Sequence, residues 1–374
     1  MKVLVVAGAR PNFMKVAPVL SALERSGHER VFVHTGQHYD ASMSDAFFDD
    51  LGLPAPDSHL GVGSGSHATQ TAKVMEAFEP VLEAARPDWM VVVGDVNSTL
   101  ACALVASKLR DRVGCRIAHV EAGLRSNDWA MPEEVNRVLT DRLSDLLLTP
   151  SPDAEPNLLH EGIDASRIVF VGNVMIDSLL RMLPRARALN VPGSLGVTVG
   201  KYAVATLHRP SNVDVAEQLA VILTAFGEVA RDFPVLLPMH PRTRERVQAF
   251  GLESLLKPLK VLEPLGYTEM LGLQSEAAVV LTDSGGIQEE STVLGIPCVT
   301  LRESTERPVT VTEGTNRLAP WPLTHARIME TARAAIASGR VAVCERAPDG
   351  WDGRAGERVV AALEHAGAEA NAPA

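Results

Sequence analysis

Apolar residues in this chain fall into short blocks separated by longer amphipathic stretches, and that alternation sets the expected architecture. Blocks such as Met90-Val91-Val92-Val93 are continuous and rich in β-branched residues, as in strands buried on both faces. Between them, apolar positions recur at helical spacing. In the first half, strands are predicted at 3–7, 31–35, 89–94, 116–120, 145–149 and 168–171, with helices at 14–25, 69–84, 98–109, 133–143 and 153–161. In the second half, strands are predicted at 202–206, 235–238, 261–263, 278–282 and 298–301, again with helices between them. Strands that alternate with crossover helices build parallel sheets. The fold class is therefore α/β, with two doubly wound Rossmann-like domains facing a cleft.

At 374 residues the chain exceeds one comfortable core, which agrees with two domains. The segment 173–192 carries an amphipathic stretch and ends in the turn-rich Asn190-Val191-Pro192-Gly193. The expected division is 1–172 and 173–351, with a C-terminal helix within 352–367, periodic from Arg358 to His365, rejoining the first domain. This layout matches the GT-B type of architecture, which by itself establishes no activity.

Composition narrows the function classes. Apolar residues make up 46% and charged residues 22%, an ordinary globular balance. The apolar start, Met1 to Gly8, is too short for a signal peptide, and no run approaches the length of a membrane span. A cytoplasmic location and no membrane partner are expected. The net charge of −11 disfavours nucleic acid as a partner, because phosphate backbones are held by basic surfaces. Cys102, Cys115, Cys298 and Cys344 lack ligand-like spacing, so neither a metal nor a disulfide frame is expected.

In open α/β sheets, ligands bind beyond the carboxyl ends of strands, so polar residues there are the candidates for a site. Thr282-Asp283-Ser284-Gly285-Gly286-Ile287-Gln288-Glu289-Glu290 reads as strand end, glycine turn and helix start. Adjacent glycines let backbone N–H groups approach a phosphate at a helix N-terminus. Tight packing alone also explains glycines at such turns. Arg10 and Lys15 follow the first strand in a turn with one glycine at Gly8, which is not a GxGxxG fingerprint and argues against a nicotinamide cofactor. They are either solvated loop residues or partners for a pyrophosphate. Asp95 and Glu121 close adjacent apolar strands, where a partly buried acid is costly unless paired or used. Glu133 opens a helix after Pro132, where capping chemistry explains it as readily as catalysis. His208 and His240 each follow a strand in the second half.

As a set, these segments resemble the UDP-N-acetylglucosamine 2-epimerase family, from Lys2 to about Asn316. The likeness rests on Gly8 to Lys15, Thr35-Gly36-Gln37-His38, Gly94-Asp95, His119-Val120-Glu121-Ala122-Gly123-Leu124-Arg125, Pro132-Glu133-Glu134-Val135-Asn136-Arg137, His208-Arg209, Asp283 to Glu290 and Thr305-Glu306-Arg307-Pro308. The resemblance implies inversion at C2 of a UDP-2-acetamido sugar without redox chemistry or cofactor, through loss and return of UDP. It makes Asp95, Glu121, Glu133 and His208 the catalytic set. It makes Arg10, Lys15, His240, Ser284, Gly285, Gly286, Glu290 and Arg307 substrate contacts, with Ser284 to Gly286 as the phosphate turn and Glu290 on the ribose. Gln37 and His38 match an allosteric UDP-sugar site of some members, and a homodimer is expected from the family.

Asn12 stands where many members carry Glu, and Pro210-Ser211 and Val309 also depart from the pattern, which leaves the exact sugar open. Within the family, a hydrolysing epimerase and an epimerase of a UDP-diacetamido sugar stand beside the non-hydrolysing reading. From another class, a GT-B glycosyltransferase shares the layout but would call for an acceptor groove, and aromatics are only 4% of the chain. A sensor that only binds nucleotide-sugar would not call for three acids and a histidine.

Overall fold

Each of two sheets grows outward in both directions from its first strand, and the polar residues singled out above follow from that winding. The computed structural model describes residues 1–36 and 51–370, apart from the side chains at 10, 11, 369 and 370. Gln37 and His38 lie outside the described residues. The chain divides into two compact units, one comprising Met1–Leu180 with Asp349–Ala374, the other Arg181–Pro348. The predicted linking segment folds largely as a helix, Val174–Ala188, and the division falls inside it.

In the first unit, β1 (Lys2–Ala7), β2 (Glu29–His34), β3 (Ser58–His59), β4 (Trp89–Val93), β5 (Arg116–Val120), β6 (Leu146–Thr149) and β7 (Ile168–Phe170) form one parallel sheet in the order 3-2-1-4-5-6-7. Strand β4 is buried along its whole length, because helices cover both faces of such a sheet. Leu4, Val6, Met90, Val92 and Ile117 pack with Ala101, Cys102, Ala103, Val105 and Ala106 of the helix Asn97–Lys108 on one face. Residues 349–370 return to this unit. Trp351 donates to the Pro150 carbonyl at 2.8 Å, and Asp177 accepts from the N–H groups of Ala355 and Gly356 at the start of the helix Ala355–Ala370. Gly356 lets that helix lie against the helix Arg10–Arg25, since a Cβ there would stand 2.7 Å from the Pro18 carbonyl oxygen.

In the second unit, β8 (Ala203–Thr206), β9 (Val235–Pro238), β10 (Lys260–Leu262), β11 (Val279–Thr282), β12 (Cys298–Thr300) and β13 (Asn316–Leu318) are also parallel, in the order 10-9-8-11-12-13. Leu219, Ile222, Phe226, Val235, Leu237 and Ile328 are among the residues that fill its core.

Both sheets reverse direction next to their first strand, between β1 and β4 and between β8 and β11. The loops after those strands turn to opposite faces and leave a crevice at the switch point. Beyond the strands predicted from periodicity, β3 and β13 complete the edges. Each is only two or three residues long, and their pairing partners, not their own composition, make them strands.

Candidate active site

In the first unit, the turn after β1 is organised by Asn12. Its Oδ1 accepts from the N–H groups of Gly8 (3.1 Å) and Ala9 (3.0 Å), and its Nδ2 donates to the Val93 carbonyl at 3.3 Å. That bond ties the β1 turn to the end of β4. Arg10 is the first residue of the helix Arg10–Arg25, and Lys15 stands one turn further on.

Lys15 and Glu121 form a buried ion pair, with 7% and 6% of each residue exposed. The register β4 to β5 places Val93 beside Val120, so the next residues, Gly94 and Glu121, emerge side by side. Gly94 has a φ of +64°, and a Cβ there would stand 2.7 Å from Lys15 Nζ and 3.1 Å from Glu121 Oε2. Only glycine leaves room for the pair. Glu121 itself has a φ of +72°, a left-handed conformation that costs a non-glycine residue about 1–2 kcal/mol. Such strain at a carboxylate beside a crevice points to function, because a purely structural position would favour glycine or asparagine.

Asp95 lies on the same turn. Its Oδ2 accepts from Arg137 at 2.6 Å, and its backbone carbonyl accepts from Asn136 at 2.8 Å. Arg137 also binds Glu134 at 2.7 Å, and Glu134 accepts from the N–H groups of Ser126 and Asn127. Burial would raise the Glu134 pKa, but those N–H groups and Arg137 outweigh it and hold the carboxyl below its ordinary range. Neighbouring acids on the helix Pro132–Leu143 are thus separated by the turn of the helix: Glu134 is buried against Arg137, whereas Glu133 is half-buried. Among the described residues, Glu133 forms no hydrogen bond or ion pair.

Beneath both strand ends, the fully buried His119 joins Asp141 at 2.6 Å through Nδ1 and the Gly94 carbonyl at 2.8 Å through Nε2. Asp141 also pairs with Arg125 at 2.7 Å and accepts from the Gly123 N–H at 3.1 Å. Burial alone would raise the Asp141 pKa, and the adjoining His119 and Arg125 overcome it and lower it.

In the second unit, the helix Gly285–Leu294 begins at the end of β11. Its first residues, Gly285 and Gly286, are partly exposed, and Ser284 makes no side-chain cap. Orphan N–H groups and the positive end of the dipole are therefore available to an anion. Behind the turn, Glu306 gathers Arg302 (2.7 Å), Arg307 (2.8 Å) and Arg209 (3.6 Å). Burial would raise the Glu306 pKa, and Arg307 and Arg302 lower it strongly. Arg307 also contacts Glu289 at 3.0 Å. A Cβ on Gly285 would lie 2.8 Å from Arg307 Nη1, so the helix start and the arginine cluster touch.

His208 follows β8 and faces Asp283, with Nδ1 2.9 Å from Oδ1. His240 stands 5.8 Å away between ring centres. Its Nδ1 accepts from the Arg242 N–H and caps the helix Pro241–Ala249. Burial, then the neighbouring His208, lowers the His240 pKa. Glu290 is turned inward. Burial and the adjacent Glu289 push its carboxyl up to about 8, against the opposing effect of the Tyr267 hydroxyl. With its amide oriented to satisfy its neighbours, Gln274 donates to Glu290 Oε2 at 3.0 Å.

The structure thus gathers Lys15, Asp95 and Glu121 around the first switch point and His208, His240, Ser284, Gly285, Gly286 and Arg307 around the second. Sequence reasoning assigned no role to Asp141, Arg137, Arg302, Glu306 or Asp283. Three of these, Arg137, Glu306 and Asp283, lie within the quoted motifs, and their being charged amid apolar strand and helix starts was the available signal. Among the described residues no helix is long and apolar enough to cross a membrane.

Residues 21–364 match a family described as UDP-N-acetylglucosamine 2-epimerase. A UDP-N-acetylglucosamine 2-epimerase homolog of Methanococcus maripaludis is 46% identical over 323 residues, covering 85% of this chain and 88% of that one. The UDP-2,3-diacetamido-2,3-dideoxy-D-glucuronate 2-epimerase of Pseudomonas aeruginosa is 43% identical over 340 residues, covering 90% and 92%. The crystal structure of Methanocaldococcus jannaschii UDP-GlcNAc 2-epimerase in complex with UDP-GlcNAc and UDP superimposes with a TM-score of 0.86 at 41% identity, covering 98% of this chain and all of that one.

Proposed function

The chain belongs to the UDP-N-acetylglucosamine 2-epimerase family, and on that premise we propose that it interconverts UDP-N-acetylglucosamine and UDP-N-acetylmannosamine by elimination and re-addition of UDP. The C2 proton is not next to a carbonyl and is poorly acidic, so cleavage of the C1–O bond leads. The bonding pair leaves with the diphosphate, a carboxylate takes the C2 proton, and a C1–C2 double bond forms, giving 2-acetamidoglucal and UDP. Return of a proton to the opposite face of C2 and of UDP to C1 completes the inversion.

The observation that carries this reading is Glu121, a carboxylate kept in a left-handed backbone beside Lys15 and Gly94. With Asp95 and Glu133 it supplies acid and base groups and negative charge for the cationic character that develops at C1. In the second unit, the start of the helix at Ser284 to Gly286 receives the diphosphate, with Arg307 behind it and His208 beside it. Arg10 and Lys15 contact the nucleotide-sugar, and Glu290 serves the ribose.

The Pseudomonas aeruginosa relative, matched over nine-tenths of this chain, favours a second reading: a UDP-diacetamido-uronate as the epimerised sugar. Proton NMR in D2O, without added metal or nicotinamide, separates the readings. UDP-N-acetylmannosamine carrying deuterium at C2 is the expected product from UDP-N-acetylglucosamine. Free N-acetylmannosamine with UDP would move the protein to a hydrolysing activity, and turnover of the diacetamido-uronate alone would establish the second reading. Conversion of either sugar without deuterium uptake would overturn the elimination route.

A further inference from the structure

Asp283 is wholly buried, so its carboxylate cannot reach a ligand. Among the described residues, every hydrogen bond of that carboxylate converges on the turn that presents His208. Oδ2 accepts from the N–H groups of His208 (3.1 Å) and Arg209 (2.9 Å) and from Asn212 Nδ2 (3.1 Å). Oδ1 accepts from the His208 N–H at 3.2 Å and lies 2.9 Å from His208 Nδ1. Burial would raise the Asp283 pKa, and the His208 ring and the backbone donors lower it.

An ionised carboxylate only accepts, so this contact favours the tautomer of the neutral His208 ring that carries its proton on Nδ1. The other nitrogen, Nε2, then faces away from Asp283. The His208 side chain is 40% exposed while its partner is wholly enclosed, and Asp283 is followed directly by the Ser284 to Gly286 turn. Arg209, which follows His208, donates from Nε to the Asp283 carbonyl at 3.1 Å, so the two turns are bound to each other. His240 cannot take the same part through Nδ1, because that atom is engaged by its own helix.

From this geometry we propose that Asp283 is a positioning residue for the reaction: it fixes the tautomer and ring orientation of His208 so that Nε2 is the nitrogen offered beside the diphosphate turn. The proposal rests on the catalytic role given to His208 above. A carboxylate that holds the second nitrogen of a reacting imidazole acts through orientation and never touches the substrate.

The first test needs no substrate. In histidine-¹⁵N-labelled wild-type protein, with the ring signal identified by its loss in His208→Gln, the neutral ring is expected to carry its proton on Nδ1. A proton on Nε2 would overturn the proposal, and this measurement decides even if Asp283→Asn does not fold. The second test is a cycle. Asp283→Asn is expected to lower kcat about 100-fold while the KM for the UDP-sugar changes by no more than about threefold. In a His208→Gln background the same substitution should cost less than about threefold more. A full-size loss in that background would show that Asp283 acts on the fold and not through His208. Unchanged turnover in His208→Gln itself would instead remove the catalytic role of His208, with the tautomer measurement still reporting on Asp283.

Discussion

Removing Lys15 and Glu121 one at a time and then together isolates the energetics of the first unit's candidate site. The two side chains form an ion pair at which each residue is more than nine-tenths buried. Taking away one partner of such a pair costs about 3–5 kcal/mol, because the remaining charge stays in a poorly solvated place. Lys15→Met should show that full loss. Glu121→Gly should lose less, about 1–4 kcal/mol, since glycine also relieves about 1–2 kcal/mol of strain at φ +72°. Replacing both partners strands no charge and keeps the strain relief, against a small void left by the glutamate. The double variant should therefore unfold within about 2 kcal/mol of wild type, whereas adding the single losses would place it about 4–9 kcal/mol below. In a unit of about 200 residues, each kcal/mol moves the midpoint by about 2–4 °C, so the contrast is readable by scanning calorimetry at one pH and salt concentration. All three variants should lose turnover. The reasoning is refuted if the double variant melts as low as the sum of the singles, or if neither single variant moves the transition.

Three further outcomes are expected. The Glu290 carboxyl, raised from 4.5 to about 8 in the fold, contributes stability that is complete below pH 4.5 and fades as pH rises through 8; urea unfolding of wild type should weaken by a few kcal/mol across that window relative to Glu290→Gln, and parallel pH curves for the two proteins would contradict it. Gly285→Ala places a Cβ 2.8 Å from Arg307 Nη1, so calorimetric titration should find UDP affinity reduced about tenfold or more, with thermal stability nearly unchanged; unaltered binding would separate the arginine cluster from the nucleotide. Gly172→Ala combines a φ of +84° with overlap of the Gly350 carbonyl oxygen; it should destabilise the first unit by about 3 kcal/mol or more, and limited proteolysis should release the C-terminal helix sooner.

Several features were legible before any fold was known, and others were hidden for definable reasons. Strand and helix periods are local, so the central strands emerged from the pattern, and a strand's end marks where a ligand-facing residue can stand. That is why Asp95, Glu121, His208 and Ser284 were found. The edge strands β3 and β13 were missed: Ser58 and His59, and Asn316 to Leu318, carry no apolar alternation, and only their hydrogen-bonding neighbours make them strands. Asn12, read as a departure from the family's Glu, becomes the brace between the β1 turn and β4.

The partners of the charges were the least readable part. Glu133 and Glu134 look equivalent as first-turn acids, yet the helix turns one toward Arg137 and leaves the other half-buried. Glu289 and Glu290 are likewise adjacent in sequence, yet Glu289 meets Arg307 and the Glu290 carboxyl meets Tyr267 and Gln274. By itself, the sequence determined the two parallel α/β sheets, the family and the strand ends at which reactive groups stand, because periodicity and turn chemistry act over a few neighbouring residues. Only the tertiary structure decided which carboxylate meets Lys15, which meets Arg137 and which histidine nitrogen faces outward. Those outcomes depend on distance and burial, and the order of strands in each sheet sets both by bringing together residues as far apart in sequence as Lys15 and Glu121 or His208 and Asp283.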